Sequence, residues 1–162
     1  MDEKSLLSAL KTHLEYHPDG YFIWKVPNHP RFKVGDKAGG LSPNGRYKNK
    51  LLDHEEYTYR LVWLWHHGKL PEQFVDHIDG DKTNDRIENL RAATNSQNQM
   101  NRGTPSNNKS GYKGVSETRH GRWMVMVGLN GKNHYGGTYT DVHEAGKAAS
   151  DLRKKLHGEW AV

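Results

Sequence analysis

The stretch that most restricts the fold of this chain runs from Phe74 to Arg102, because it combines a strand, a run of turn formers and a helix start. Its first part, Phe74 to Ile78, has the pattern of a short strand and places Asp76 beside His77. Residues 79–85 follow, and all of them are polar or glycine. They favour a turn, since glycine adopts positive φ readily and Asn and Asp hydrogen-bond their own backbone. We therefore expect a strand that ends in a tight loop.

A second strand and a helix are predicted after this loop. The chain reads as extended again through Ile87 and Leu90. Thr94 is a typical helix N-cap, and Gln97 three residues later completes a capping box. A strand, a loop, a strand and a helix of this length are expected to bring four polar side chains to one point: Asp76, His77, Asn89 and Asn98.

These four residue types suit the hydrolysis of a phosphodiester. The negative charge of the ester repels a nucleophile, so a hard divalent cation with open positions for water and a phosphate oxygen is the usual solution. Asp76 and the amide oxygen of Asn98 suit such a cation, for which Mg²⁺ is the expectation and Mn²⁺ the alternative. His77 suits the general base, because a neutral imidazole accepts a proton near pH 7. Asn89 is expected to tie the two strands together and to orient His77.

The stretch resembles the HNH, or ββα-metal, endonucleases. Within that family it is most similar to the phage nicking homing endonucleases, whose third motif residue is Asn rather than His. Three groups of residues carry the resemblance in addition to the four polar side chains: Asp79-Gly80, Asn89-Leu90-Arg91 and Asn98 to Arg102.

The resemblance implies a role for each of the four polar residues. Asp76 and Asn98 correspond to metal ligands, His77 to the general base and Asn89 to the central asparagine. The sequence departs from the family at Tyr59-Arg60-Leu61, where many relatives have His-Arg-Leu. The alternative interpretation is a surface turn rich in Asn and Asp that contains a histidine by chance.

The composition and charge of the chain indicate which class of molecule it binds. The 162 residues are 33% hydrophobic, which is too few for a large core, and they carry a net charge of +5 with a pI near 9.3. A basic balance of this kind favours a polyanionic partner, and nucleic acid is the first candidate. Mild basicity is also common among proteins with other functions, so charge alone does not decide the matter.

The chain contains no cysteine. This excludes disulfides, thiol catalysis and the cysteine-ligated structural zinc that some relatives carry, so no structural zinc is expected. The amino terminus is charged, and no apolar run is long enough for a signal peptide or a membrane span. We expect a soluble intracellular protein that does not bind membranes.

Upstream of residue 74, the sequence predicts small elements and a basic surface. A helix is expected from Ser5 to Glu15 and a buried strand from Tyr21 to Trp24. Residues 25–50 then contain seven lysines and arginines against Asp36 alone. A strand with one basic face is predicted there to follow the DNA backbone, through Arg46, Lys48 and Lys50. The alternative is a solvated edge strand that lysines protect from aggregation.

Downstream of residue 102, a linker and a second domain are predicted. Residues 103–109 are polar turn formers, among which Lys109 is expected to bond phosphates. Strands are then expected near residues 112–116, 122–129 and 132–139, with Asn130-Gly131 as a two-residue hairpin turn. A helix capped by Thr140 and Asp141 and ended by Gly158 completes a three-stranded antiparallel sheet packed on one helix.

This segment resembles the AP2 DNA-binding domain over nearly its whole length. Five groups of residues carry the likeness: Ser110 to Val115, Gly121-Arg122-Trp123, Gly137-Thr138-Tyr139, Glu144-Ala145 and Leu156 to Glu159. In that family the outer face of the sheet enters the major groove. By position, the resemblance implies DNA contacts for eight residues: Lys113, Ser116, Thr118, His120, Arg122, Gly128, Asn133 and Tyr135. The alternative is a sheet that packs on protein.

Together these features predict an α+β protein in two parts. Residues 1–102 are expected to form a ββα-metal nuclease domain with extra strands and helices. Residues 103–109 form a linker, and residues 110–162 form the AP2-like domain. Within the first part, the residues around 72–88 are acidic, as a cation site requires.

The function expected from the sequence is metal-dependent cleavage of double-stranded DNA at a recognised site. The chain is predicted to be a phage homing endonuclease that nicks one strand, acts as a monomer without an obligate protein partner, and works in the cytoplasm of an infected bacterium. A DNA-binding regulator with an inactive nuclease fold and a nonspecific degradative nuclease are the two alternatives.

Overall fold

The structure is a computed structural model that describes residues 2–161. Over that range it is a mixed α+β fold with four α-helices and several small antiparallel sheets. The contacts divide the chain into two compact units, Met1–Ala93 and Thr94–Val162. The first unit therefore ends at the second strand of the motif stretch, and the capped helix that follows belongs to the second unit.

The first unit begins with helix α1 (Glu3–His13), whose N-cap Asp2 accepts a hydrogen bond from the backbone N–H of Ser5. The predicted helix was too long at its carboxyl end. Leu14 adopts an extended conformation and starts strand β1 (Leu14–His17), which pairs antiparallel with β2 (Tyr21–Trp24). Leu14 is fully buried in this strand, so packing against the hydrophobic core overrides the helical spacing of the leucines.

Four further strands and a helix follow in the first unit. Strand β3 (Lys37–Ala38) pairs with β2, while β4 (Gly40–Leu41), β5 (Tyr47–Leu51) and β6 (His54–Tyr57) form a second sheet. Helix α2 (Thr58–His67) follows and ends at Gly68, whose φ of 73° is the left-handed conformation expected of a C-cap glycine. The basic strand and the end of this helix are therefore confirmed.

The motif stretch forms a hairpin of two short strands. Strand β7 (Phe74–His77) pairs with β8 (Leu90–Ala93), and His77 stands opposite Leu90. The residues before β8 were predicted to be extended, but Ile87–Asn89 form a short 3-10 helix. The cause is local, because the N–H of Asn89 closes a turn on the carbonyl of Arg86.

The turn between β1 and β2 packs against the loop of this hairpin. Gly20 has a φ of +85°, and a Cβ at this position would lie 2.4 Å from the backbone nitrogen of Arg86. Asp19 forms an ion pair with Arg86 at 2.6 Å, and the hydroxyl of Tyr16 accepts a hydrogen bond from the N–H of Ile87. The position of the loop therefore depends on a turn whose Asp19 lies 67 residues before Arg86 in the sequence.

The second unit contains helix α3 (Asn95–Met100) and a sheet packed on a longer helix. The capping box at Thr94 and Gln97 is present as predicted. Strands β9 (Val115–Glu117), β10 (Trp123–Leu129) and β11 (Lys132–Tyr139) form an antiparallel sheet in the order β11-β10-β9. Helix α4 (Val142–His157) covers one face, and its N-cap Asp141 accepts hydrogen bonds from two backbone N–H groups.

The core of the second unit is small. It consists of Val115 and Val125 from the sheet and Ala145 and Ala149 from α4. Gly136 is an extra residue in β11 opposite β10, where the register shifts. A Cβ on it would lie 2.5 Å from the side chain of Val125, so only glycine fits here. No helix among residues 2–161 is long and apolar enough to cross a membrane.

Substitution of Gly20 by alanine should destabilise the protein more than substitution of Gly35. Both glycines have positive φ, +85° and +90°, but only Gly20 has backbone atoms within reach of an added Cβ. Each change should lower the free energy of unfolding by about 1–2 kcal/mol through the left-handed backbone. The clash with Arg86 should cost Gly20→Ala roughly 1–3 kcal/mol more. Urea unfolding of the two variants measures the difference, and equal losses would show that the turn does not hold the loop.

Candidate active site

Two of the predicted site residues are neighbours on strand β7. Asp76 and His77 are 7% and 4% exposed, so both polar groups lie inside the protein. One oxygen of Asp76, Oδ2, accepts a hydrogen bond from the Nε of Arg91 at 3.1 Å across the hairpin, where the two residues stand opposite each other. Buried polar groups need such partners, and Arg91 supplies one for Asp76.

The imidazole of His77 forms a hydrogen bond with the carboxylate of Asp85, which was not among the predicted site residues. The Nε2 of His77 lies 2.7 Å from the Oδ1 of Asp85, which is 1% exposed. Burial raises the pKa of the Asp85 carboxyl, while the hydrogen bond with His77 and the charge of Arg46 oppose this rise. An ionised Asp85 carboxylate is only an acceptor, so Nε2 is the ring nitrogen that would donate to it in that state.

Asn89 holds the loop that carries Asp85. Its side-chain oxygen accepts a hydrogen bond from the N–H of Asp79, and its amide nitrogen donates to the Asp79 carboxylate and to the carbonyl of Asn84, at 2.9 and 2.8 Å. Burial disfavours the charge of Asp79, but hydrogen bonds from Asn84, Asn89 and Asp81 together lower the pKa of this carboxyl. Asn89 thus binds Asn84, the residue next to Asp85, and Asp85 contacts His77.

An aromatic ring packs against His77 in the first unit. The ring of Tyr59 meets that of His77 edge to face with the centroids 5.3 Å apart. Burial raises the pKa of the Tyr59 hydroxyl, so the side chain stays neutral. The guanidinium of Arg46 lies 5.1 Å from the centroid of the same ring. Tyr59 therefore contacts both the imidazole of His77 and the guanidinium of Arg46.

The fourth predicted residue, Asn98, lies in the second unit. It occupies helix α3, is half-buried, and donates its backbone N–H to the carbonyl of Thr94. Its proposed ligand role comes from the resemblance in sequence and stays a prediction.

The donor set suits a hard cation. Among residues 2–161 no three His, Cys, Asp or Glu side chains are grouped closely enough to hold a metal together. Mg²⁺ needs no such group, because it is commonly bound through one or two carboxylates and completes its shell with water and phosphate oxygens. A carboxylate offers about four lone-pair sites, so Asp76 can accept from Arg91 and still bind a cation.

The residues predicted to contact DNA are either half-buried or exposed to solvent. Lys48 is paired with Glu55 at 2.7 Å, and Lys113 is half-buried and donates to the carbonyls of Met100 and Arg102. Arg46 and Thr118 are half-buried. The others are exposed to solvent: Lys50, Lys109, Ser116, His120, Arg122, Gly128, Asn133 and Tyr135.

Three residues that contact the predicted site residues were given no role from the sequence: Asp85, Arg91 and Tyr59. Asp85 was read as one of several turn formers, and nothing in the run Thr83-Asn84-Asp85 separates it from its neighbours. Arg91 carried a weak signal, because it stands opposite Asp76 once the hairpin register is known.

Comparison with known proteins identifies the family of this chain. A family model described as HNH endonuclease matches residues 56–100. Protein 3.8 of Escherichia phage T7 is 36% identical over 102 residues, which cover 62% of this chain and 84% of that protein. An uncharacterised HNH endonuclease, L560, of Acanthamoeba polyphaga mimivirus is 36% identical over 140 residues, which cover 86% of this chain and 69% of that protein. The chain belongs to the HNH endonuclease family.

Proposed function

We propose that this endonuclease hydrolyses phosphodiester bonds of double-stranded DNA with His77 as its general base. The observation that carries the proposal is the buried hydrogen bond of 2.7 Å between His77 and Asp85. It holds the imidazole in the tautomer that leaves Nδ1 free of a proton and ready to take one from water. Asp85 is thus a positioning residue, and the hydrogen bonds of Asn89 fix the loop on which it lies.

A divalent metal ion, which HNH nucleases generally use, would neutralise the charge that develops on the phosphate and on the leaving oxygen. Asp76 is the ligand that we assign in the first unit, and the resemblance adds Asn98. Mg²⁺ is the ion that we propose, with Mn²⁺ as the alternative. Arg91 orients Asp76 for this role, because it donates to Oδ2.

Arg46 is proposed to bind a phosphate oxygen of the substrate. Its guanidinium rests on Tyr59, which packs on His77, so the cation lies near the base. The Nη1 nitrogen of Arg46 is buried and has no hydrogen-bond partner. A buried donor without an acceptor is uncommon in a protein and is satisfied when an anionic group binds beside it.

The outer face of the carboxyl-terminal sheet is proposed to dock on DNA. Helix α4 covers the other face, and the exposed residues include a large aromatic, Tyr135, which is 62% exposed. Residues 103–162 carry nine lysines and arginines against five acidic residues. An AP2-like module of this kind would hold the nuclease near its target and raise its local concentration there.

We also propose that the enzyme is of the homing type and nicks one strand as a monomer. One chain supplies one His77, and one general base activates one water for attack on one phosphate in a single binding pose. The amphipathic faces of α1 and α4 are both used in their own cores, since Leu6 and Leu10 are buried in one unit and Ala145 and Ala149 in the other.

Replacement of His77 or Asp85 should lower the rate of cleavage while DNA binding persists. His77→Ala should cost about 10²–10⁴ in rate, the usual share of a general base. Asp85→Asn should cost on the order of 10² or more, because an amide can donate to Nε2 and so favour the other tautomer. Nicking of supercoiled plasmid with Mg²⁺ and with EDTA measures both. Asp53→Asn, an exposed turn residue, is the matched control and should cleave as the unchanged protein does. Wild-type rates for Asp85→Asn would remove it from the mechanism.

Mapping of both strand ends tests the nicking proposal. On a long genomic substrate the protein should cut one strand at an asymmetric site and sediment as a monomer. Simultaneous cuts on both strands by a dimer would contradict the proposal, and unselective cutting would indicate a degradative nuclease instead.

The docking face is tested by a pair of charge substitutions. Arg122→Met should weaken DNA binding and reduce the slope of log K against log salt by about 1, the value of one lost phosphate contact. Lys147→Met, an exposed residue of helix α4 on the covered side of the sheet, should change neither. Filter binding over a salt series reports both quantities, and equal effects of the two changes would place the DNA elsewhere.

A further inference from the structure

A groove of about 650 Å³ lies in the first unit beside the basic strand β5. Its lining includes Lys48 and Lys50 of that strand and Arg31 of the preceding loop. The only carboxylate in the lining is Glu55, and it is already paired with Lys48 at 2.7 Å. Arg31 and Lys50 are both exposed to solvent, and neither has an ion pair among the described residues. Three cations and one carboxylate therefore give the lining an excess of two positive charges.

The same groove has an apolar side that faces solvent. Leu41 and Leu52 line it and are 61% and 41% exposed. Phe32 also belongs to the lining. Its ring stacks on Trp24 with the centroids 5.4 Å apart, and the guanidinium of Arg31 lies 4.7 Å from its centroid. Water solvates such side chains poorly, so apolar surface collected in a concave site indicates a ligand with an apolar part.

Two features of the lining are costly for the protein without a ligand. Leu52 occupies the turn between β5 and β6 with a φ of 55°, a left-handed conformation that glycine or asparagine adopts far more easily than leucine. Trp24 is 2% exposed, and its indole N–H has no hydrogen-bond partner. A strained leucine whose side chain stands in solvent has no packing reason in the free protein, and this favours a role in binding.

We propose that this groove binds one unstacked nucleotide of the DNA strand, with the base against Leu41 and Leu52 and its phosphate against Arg31 and Lys50. The proposal rests on the function proposed above, since it names where the substrate strand is held. A nucleotide joins a flat aromatic base, whose faces pack on apolar side chains, to an anionic phosphate, and the groove offers apolar and cationic side chains for these two parts. A volume of 650 Å³ lies in the range of sites that hold molecules of this size. Taking a base out of its stack is a known way for enzymes to hold DNA.

The test compares three probes on the full chain in EDTA, so that no cleavage takes place. Deoxyadenosine monophosphate, deoxyadenosine and inorganic phosphate are titrated by calorimetry. The monophosphate should bind more tightly than either of its parts. Inorganic phosphate that binds as well as the nucleotide would overturn the proposal, because it would indicate a basic patch without a place for the base.

Variants assign the two halves of the ligand. Leu52→Gly removes the apolar wall and relieves the left-handed strain, so it should unfold at the same temperature or higher and yet weaken nucleotide binding by at least about five-fold. Arg31→Met should weaken it by a similar factor while the affinity for deoxyadenosine stays the same. Val34→Ala, which shortens a side chain that is 72% exposed and outside the groove, is the control and should change nothing.

The outcome separates this proposal from the proposed function. Nucleotide binding by a chain that never nicks plasmid would refute the nuclease function and leave the groove in place. Normal affinity in Leu52→Gly and Arg31→Met, in a chain that nicks plasmid, would refute the groove alone.

Discussion

The hydrogen bond between His77 and Asp85 is the interaction on which the rest of the site depends. Both side chains are almost completely buried, so neither can exchange its partner for water. A buried pair of this kind is stable only where its geometry is fixed, since separation of the partners would leave a polar group in apolar surroundings. Two unrelated parts of the first unit supply that geometry. Asn89 donates a hydrogen bond to the loop carbonyl of Asn84, and the turn at Gly20 packs against the backbone of Asp85 and Arg86.

The sequence was most informative where structure is decided by nearby residues. The capping box at Thr94, the left-handed glycine at the end of α2 and the hairpin turn at Asn130-Gly131 all follow from local backbone chemistry, and all are present. Strand β11 spans the predicted residues as well. Leu14 shows the limit of such reasoning. Its spacing fits a helix, but pairing with Trp24 makes it a strand, and that contact is not local.

The site shows the same division between local and distant causes. Asp76, His77 and Asn89 were predicted as site residues because their residue types and spacing suit the chemistry, and the structure places all three in or beside the hairpin of β7 and β8. Asp85 was not predicted, because its contact with His77 arises from the path of a loop that Gly20 helps to set.

The similarity to known proteins extends into the second unit. The first unit has 93 residues, whereas the similarity to the mimivirus protein extends over 140, so it must include part of the carboxyl-terminal sequence.

Lys113 has a consequence for how such an enzyme can change over evolutionary time. Helix α3 has six residues, far fewer than the roughly 12–15 that an isolated helix needs in water. The ammonium of Lys113 caps its end by bonding the carbonyls of Met100 and Arg102. An exchange of carboxyl-terminal modules that joined new sequence after residue 103 would remove this lysine and leave the helix without its anchor. A recombination point in front of Thr94 would carry helix, lysine and sheet together and so would keep these contacts.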